Sequence, residues 1–216
     1  MSRPPDPYHL AVEVIRRRVR SGRLVQGEQL RVSEISDDLR LSGSPVREAL
    51  SRLAGEALIE DRRGAGYFAW RLDAVDLAGL YGLQAALLWA AVTAGGLRHG
   101  DPAIPSEAAA DNAEPDGATG LVLAEAGLTG LIRGARSQVL LETHLRLADR
   151  LAPARRIESQ VIPDLAGEWL DLAAVVASSA QGAAQAWIDL YRRRRDEHAA
   201  ALVAVMRAAA AGRRRI

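Results

Sequence analysis

The chain has 216 residues, 49% hydrophobic but only 4% aromatic, and no cysteine; that length holds two small domains with Ala/Leu/Val-rich helical cores, and it excludes a disulfide framework or a thiolate metal site. The net charge of +1 conceals a gradient: residues 1–72 carry 13 arginines against 10 acids and residues 73–216 carry 15 against 17, which permits a nucleic-acid partner at the front without demanding one. The opening MSRPPDPYHL lacks the apolar core of a secretory signal, and the most apolar run, LYGLQAALLWAAVTAGGL, suits a buried helix better than a membrane span, so a cytoplasmic protein with no membrane partner is expected.

In chain order, YHLAVEVIRRRVRSG spaces Leu10, Val14, Ile15 and Val19 as one helical face, with Gly22 as its stop. VQGEQL reads as a turn. VSEISDDLRL begins with Ser33 as a candidate cap and puts Ile35 and Leu39 on one face. In SGSPVREAL, Ser44 is a candidate cap and Pro45 suits the first helical position, which sets Arg47 at the third. Val46, Ala49, Leu50, Leu53 and Ala57 form the apolar face of this third helix, and Arg47, Ser51 and Arg52 lie opposite. LIED and GYFAW are strand candidates joined by RRGA. Helix, helix, turn, helix and hairpin within about 65 residues is the layout of a winged helix-turn-helix. Such a module offers its third helix tip to the DNA major groove. Small Ser42, Gly43 and Ser44 let the backbone approach, the Arg47 fork can grip a guanine edge, and Arg62 and Arg63 suit phosphate or minor-groove contact.

Residues 73–216 are expected to form an all-α bundle of about six helices: one from the cap Asp73 to the Gly95–Gly96 break, then 120–135, 137–152, 160–178 and 181–210, with a loop at 99–119. The predicted fold is therefore mainly α, with domains 1–72 and 73–216. No phosphate loop, H-E-x-x-H motif or nucleophile elbow occurs, so an enzyme is not expected. A helical protein–protein adaptor is the alternative to a DNA reader. His9, His99, His144 and His198 are scattered and form no i, i+4 pair, which favours surface or satisfied histidines over ligands.

GEQLRVSEISDDLRLSGSPVREALSRLAGEALIEDRRGAGYFAW resembles the DNA-binding domain of the GntR family of bacterial regulators, over about a third of the chain and without gaps. The resemblance implies DNA contacts from Ser42, Ser44, Arg47, Arg63 and Gly64, within a wider candidate set of Arg31, Gly43, Pro45, Arg52 and Arg62. The family's S-R-T-P reads S-G-S-P here, so Gly43 stands where an arginine usually reaches DNA; Arg31, Arg40 and Arg52 are candidates to compensate, and weaker or differently specific binding is expected. Ala57 replaces a usual glycine.

More faintly, DLAGLYGLQAALL and EAGLTGLIRGARSQVLLETHLRL resemble the FCD-type effector domain of the FadR-like branch. That resemblance implies a homodimer on a palindromic operator, acting as a repressor, with a small effector, an organic acid by analogy, bound in the bundle; dimerisation without an effector is the alternative. The positions of the family's metal ligands fall on Glu125, Thr129, Trp169 and Tyr191, so the metal site is expected to be lost and no cofactor is required. Aromatic rings are expected to fill that space or to shape an apolar pocket, with Gln84 and His144 as further effector candidates.

Overall fold

The computed structural model describes residues 6–95, 97 and 117–213. They form two compact units: residues up to Leu72 together with the chain from Met206, and Asp73–Val205.

In the first unit, α1 (Pro7–Arg20), α2 (Val32–Leu39) and α3 (Gly43–Gly55) surround one apolar core, and β1 (Gln29–Leu30), β2 (Glu60–Arg62) and β3 (Gly66–Phe68) make an antiparallel sheet of order β1-β3-β2. The core is built from the predicted faces: Ala11, Val12 and Ile15 of α1, Ile35 of α2, and Val46, Ala49, Leu50 and Leu53 of α3, closed by Leu30, Leu58 and Ile59. Three local readings are corrected. VQGEQL is not wholly a turn, because Gln29 and Leu30 pair with Phe68 and Tyr67. Helix α2 starts from Arg31 and not Ser33, with no side-chain cap. Helix α3 starts after Ser42, also uncapped by a side chain, so Pro45 is its third residue and Arg47 its fifth; the Ser44 hydroxyl donates to Glu48 Oε1 at 3.1 Å instead of capping. Ala57 has φ +57°, the left-handed conformation that costs a side-chain-bearing residue about 1–2 kcal/mol, and Trp70 Nε1 donates to its carbonyl at 3.0 Å.

Among the described residues, the second unit holds α4 (Ala74–Gly95), α5 (Gly117–Gly134), α6 (Gln138–Arg155), α7 (Leu165–Ser178) and α8 (Gln181–Arg213) as far as Val205, with a 3₁₀ turn at Glu158–Gln160; the last turns of α8, from Met206, belong to the first unit. The predicted cap Asp73 accepts from the Asp76 amide at 2.8 Å, and Asp76 returns the bond to the Asp73 amide at 3.2 Å. The predicted loop at 99–119 lies outside the described residues except for 117–119, which open α5. The predicted helix 160–178 is shorter: Gln160 ends the 3₁₀ turn, residues 161–164 are not helical, and α7 starts from Asp164, whose side chain caps the Gly167 amide. Pro153 does not end α6, which runs to Arg155. Helix α4 is long and apolar enough to cross a membrane by length and composition, and half of that stretch is buried within the protein, including Leu77, Tyr81 and Leu88.

Candidate nucleic-acid interface

The first unit presents the tip of α3, the β2–β3 turn and an open cleft of about 650 Å³ between them, walled by Gln29, Val32, Ser33, Gly43, Arg47 and Tyr67. The turn is tight: Ala65 N donates to Arg62 O at 2.8 Å, and Gly64 and Gly66 take φ +75° and +98°. Gln29 Nε2 donates to Ala65 O at 2.8 Å and so ties β1 to the turn. Gln29 opens β1, and in a strand of two residues no periodicity marks it as a functional donor.

The candidate arginines separate by what already holds them. Arg31 pairs with Glu34 at 2.8 Å. Arg52 donates to Glu56 at 2.9 Å and to the Tyr8 hydroxyl at 3.1 Å, while Arg16 reaches the other Glu56 oxygen at 2.5 Å, so Arg52 belongs to a clamp between α1 and α3. Arg62 pairs with Glu60 at 2.7 Å, which holds that carboxyl below its usual range, and it lies 4.2 Å from the centre of the Phe68 ring. Among the described residues, no carboxylate or ring holds Arg47 or Arg63, and both are exposed. Ser42, Gly43, Ser44 and Pro45 share the α3 tip with Arg47, and Gly64 follows Arg63 in the turn. A rigid helix tip bearing one unpaired guanidinium, beside a tight turn bearing another, is chemically suited to reading a groove edge and gripping the adjoining phosphates.

The effector candidates of the second unit also come together. Arg155 Nη2 donates to Gln84 Oε1 at 3.2 Å, Gln84 Nε2 to His144 Nδ1 at 3.1 Å, His144 Nε2 to Thr129 Oγ1 at 3.0 Å, and Thr129 to the Glu125 carbonyl at 2.7 Å. This chain runs in one direction only if the imidazole is neutral with its proton on Nε2. Burial, helped by the Arg155 and Arg133 charges, pulls the His144 pKa down to about 4. His144 must therefore shed a proton to fold, and its contribution is complete above about pH 6.5 and lost as pH falls toward 4. Unfolding measured against pH is expected to show roughly 3 kcal/mol of lost stability by pH 4 from this residue, and His144→Gln should flatten that part of the curve.

Trp169 and Tyr191 lie 6.5 Å apart by ring centres, and Trp187 stacks on Tyr191 at 5.3 Å. Beside them the buried Arg195 bridges Glu158, at 2.9 Å, and Glu168, with its guanidinium 3.9 Å from the Tyr191 ring centre. Tyr81 donates to the other Glu158 oxygen at 2.5 Å. The sequence reading missed Arg155 and Arg195. The run RRRR at 192–195 looks like a solvated face, yet Arg195 falls in step with buried Ile188, Tyr191, Ala199 and Leu202. This donor set does not fit a divalent cation: an indole offers no lone pair, and guanidinium groups occupy the carboxylates. Among the described residues no three His, Cys, Asp or Glu side chains converge as metal ligands.

Fold and site together define a winged helix-turn-helix DNA-binding domain joined to a helical unit. Residues 7–68, less than a third of the chain, match the family described as bacterial regulatory proteins, gntR family, so this DNA-binding domain is of the gntR type. The Nta operon transcriptional regulator of Aminobacter aminovorans is 39% identical over 66 residues, a match that spans 31% of this chain and 31% of that protein. Solved structures with the same fold include a GntR protein from Rhodococcus sp. RHA1, with TM-score 0.74 and 18% identity over 89% of this chain and 96% of that one. E. coli McbR/YncC follows, with TM-score 0.61 and 13% identity over 88% and 94%.

Proposed function

We propose that the protein is a sequence-specific transcriptional repressor that binds a palindromic operator as a homodimer in the cytoplasm, and that a small-molecule effector in the helical unit alters its operator affinity. The observation that carries the DNA-reading part is the pair of unpaired guanidiniums, Arg47 on the helix tip and Arg63 in the wing, while Arg31, Arg52 and Arg62 are bound within the protein. Arg47 is the base reader, with Ser42, Ser44 and Pro45 shaping its approach, and Arg63 and Gly64 contact the backbone. An exposed uncharged strip on α4, with Val75, Leu83 and Trp89, supports self-association.

The effector reading rests on Gln84, Glu125, Thr129, His144 and Tyr191 gathering around Arg155, a guanidinium suited to the carboxylate of an organic acid. A second reading, dimerisation without an effector, is favoured by the charge balance of the same region: Arg155, Arg194 and Arg195 face Glu125, Glu158 and Glu168. No metal is needed in either, and elemental analysis of purified protein is expected to find less than one zinc, nickel or manganese per chain.

Gel shifts on genomic fragments test the function. Retardation of particular fragments with a steep loss of affinity as salt rises supports it; equal binding of all fragments, or none, overturns it. Organic acids that release a retarded fragment identify the effector class, because a ligand changes operator affinity only through unequal affinity for the two arrangements.

A further inference from the structure

We infer that Gly43 is a specificity-determining position: the missing side chain gives the Arg47 guanidinium its place over the first turn of α3, at the wall of the cleft. The inference rests on the reading of Arg47 as a base reader and asks what aims it. Helical side chains lean toward the helix N-terminus, so the stem of residue 47 runs over the turn that residue 43 begins. A Cβ built at Gly43 would lie 3.6 Å from Arg47 Nη1, 3.8 Å from Arg47 Cζ and 3.6 Å from Val32 Cγ1. Those are contact distances, so alanine fits and anything longer takes the space of Arg47 or of Val32. The backbone does not need glycine there, since Gly43 is not among the glycines of positive φ. Side-chain room is what the glycine supplies.

Room decides specificity because a guanidinium discriminates a guanine edge only when its plane is held in one orientation. Among the described residues no carboxylate orients Arg47, so the floor at residue 43 decides where its fork can lie. A larger residue 43 would lift the fork off that floor and aim it at a different base step, or at none.

The test uses the full chain with Gly43→Ala, Gly43→Leu, Arg47→Ala and the double variant Gly43→Leu/Arg47→Ala, each checked for an unchanged melting temperature. Binding sites are selected from a random duplex pool, and affinities are then measured on the wild-type site. Leucine brings no hydrogen-bonding group, so it cannot read a base itself. Gly43→Ala should stay within about twofold of wild type, Gly43→Leu should lose about tenfold or more, and in the Arg47→Ala background the leucine should cost less than about twofold. The same fold loss in both backgrounds would mean that residue 43 meets DNA directly, and would overturn the inference, as would an unchanged Gly43→Leu. If Gly43→Leu melts early, Gly43→Met with its flexible chain decides by the same comparison. A wild-type protein that selects no sequence fails the DNA-reading function instead, and the inference with it.

Discussion

Replacing Arg195 with leucine is expected to destabilise the helical unit by about 3–5 kcal/mol. The guanidinium is fully buried and joins Glu158, the first residue of the 3₁₀ turn, to Glu168 of α7, while its own position is fixed on α8. Leucine would leave two buried carboxylates without their cation. Glu158 would keep only the Tyr81 hydroxyl, and Glu168 only Arg194 at 2.6 Å. Lysine at 195 retains the charge but lacks the planar fork that reaches two carboxylates at once, so it should recover only part of the loss. Arg194→Ala should cost far less, because that side chain is partly solvated. Calorimetric or urea unfolding of the intact chain measures all three. A leucine variant within about 1 kcal/mol of wild type would show that the carboxylates find water or protons at no cost.

Such a network was hidden from the sequence for a physical reason. An arginine is solvated unless something specific pairs with it, and the partners, Glu158 and Glu168, stand 37 and 27 residues away. The core of the first unit was legible because an apolar residue needs no particular partner: Ile15, Ile35, Val46, Leu50 and Leu53 are buried where period 3.6 placed them. Caps were less legible. Ser33 and Ser44 are good capping residues, but α2 and α3 each begin earlier than those serines, at positions no side chain caps. β1 was invisible because two residues carry no period. Gln84, Glu125, Thr129 and His144, gathered as candidates by resemblance, share one hydrogen-bonded chain, while Arg155 at its end stands in an RR pair that no pattern singles out.

Arg47→Ala is expected to lose about 1–3 kcal/mol of operator binding per half-site, and a dimer on a palindrome should lose it twice. At about 1.4 kcal/mol per factor of ten, the whole operator weakens by roughly thirtyfold to twenty-thousandfold. The loss should be confined to sequences with the correct base at one position in each half-site, so non-specific binding should change little. Arg63→Ala, a phosphate contact, should instead weaken all duplexes alike and flatten the salt dependence by about one counterion per reader. Arg52→Ala separates a reader from a brace: its guanidinium holds Glu56 and Tyr8, so its loss should lower the melting temperature while sequence preference stays the same. Fluorescence anisotropy on cognate and scrambled duplexes at several salt concentrations distinguishes the three. An Arg47→Ala protein that still prefers the cognate duplex by the wild-type ratio would place base reading elsewhere on the tip, on Ser42 or Ser44.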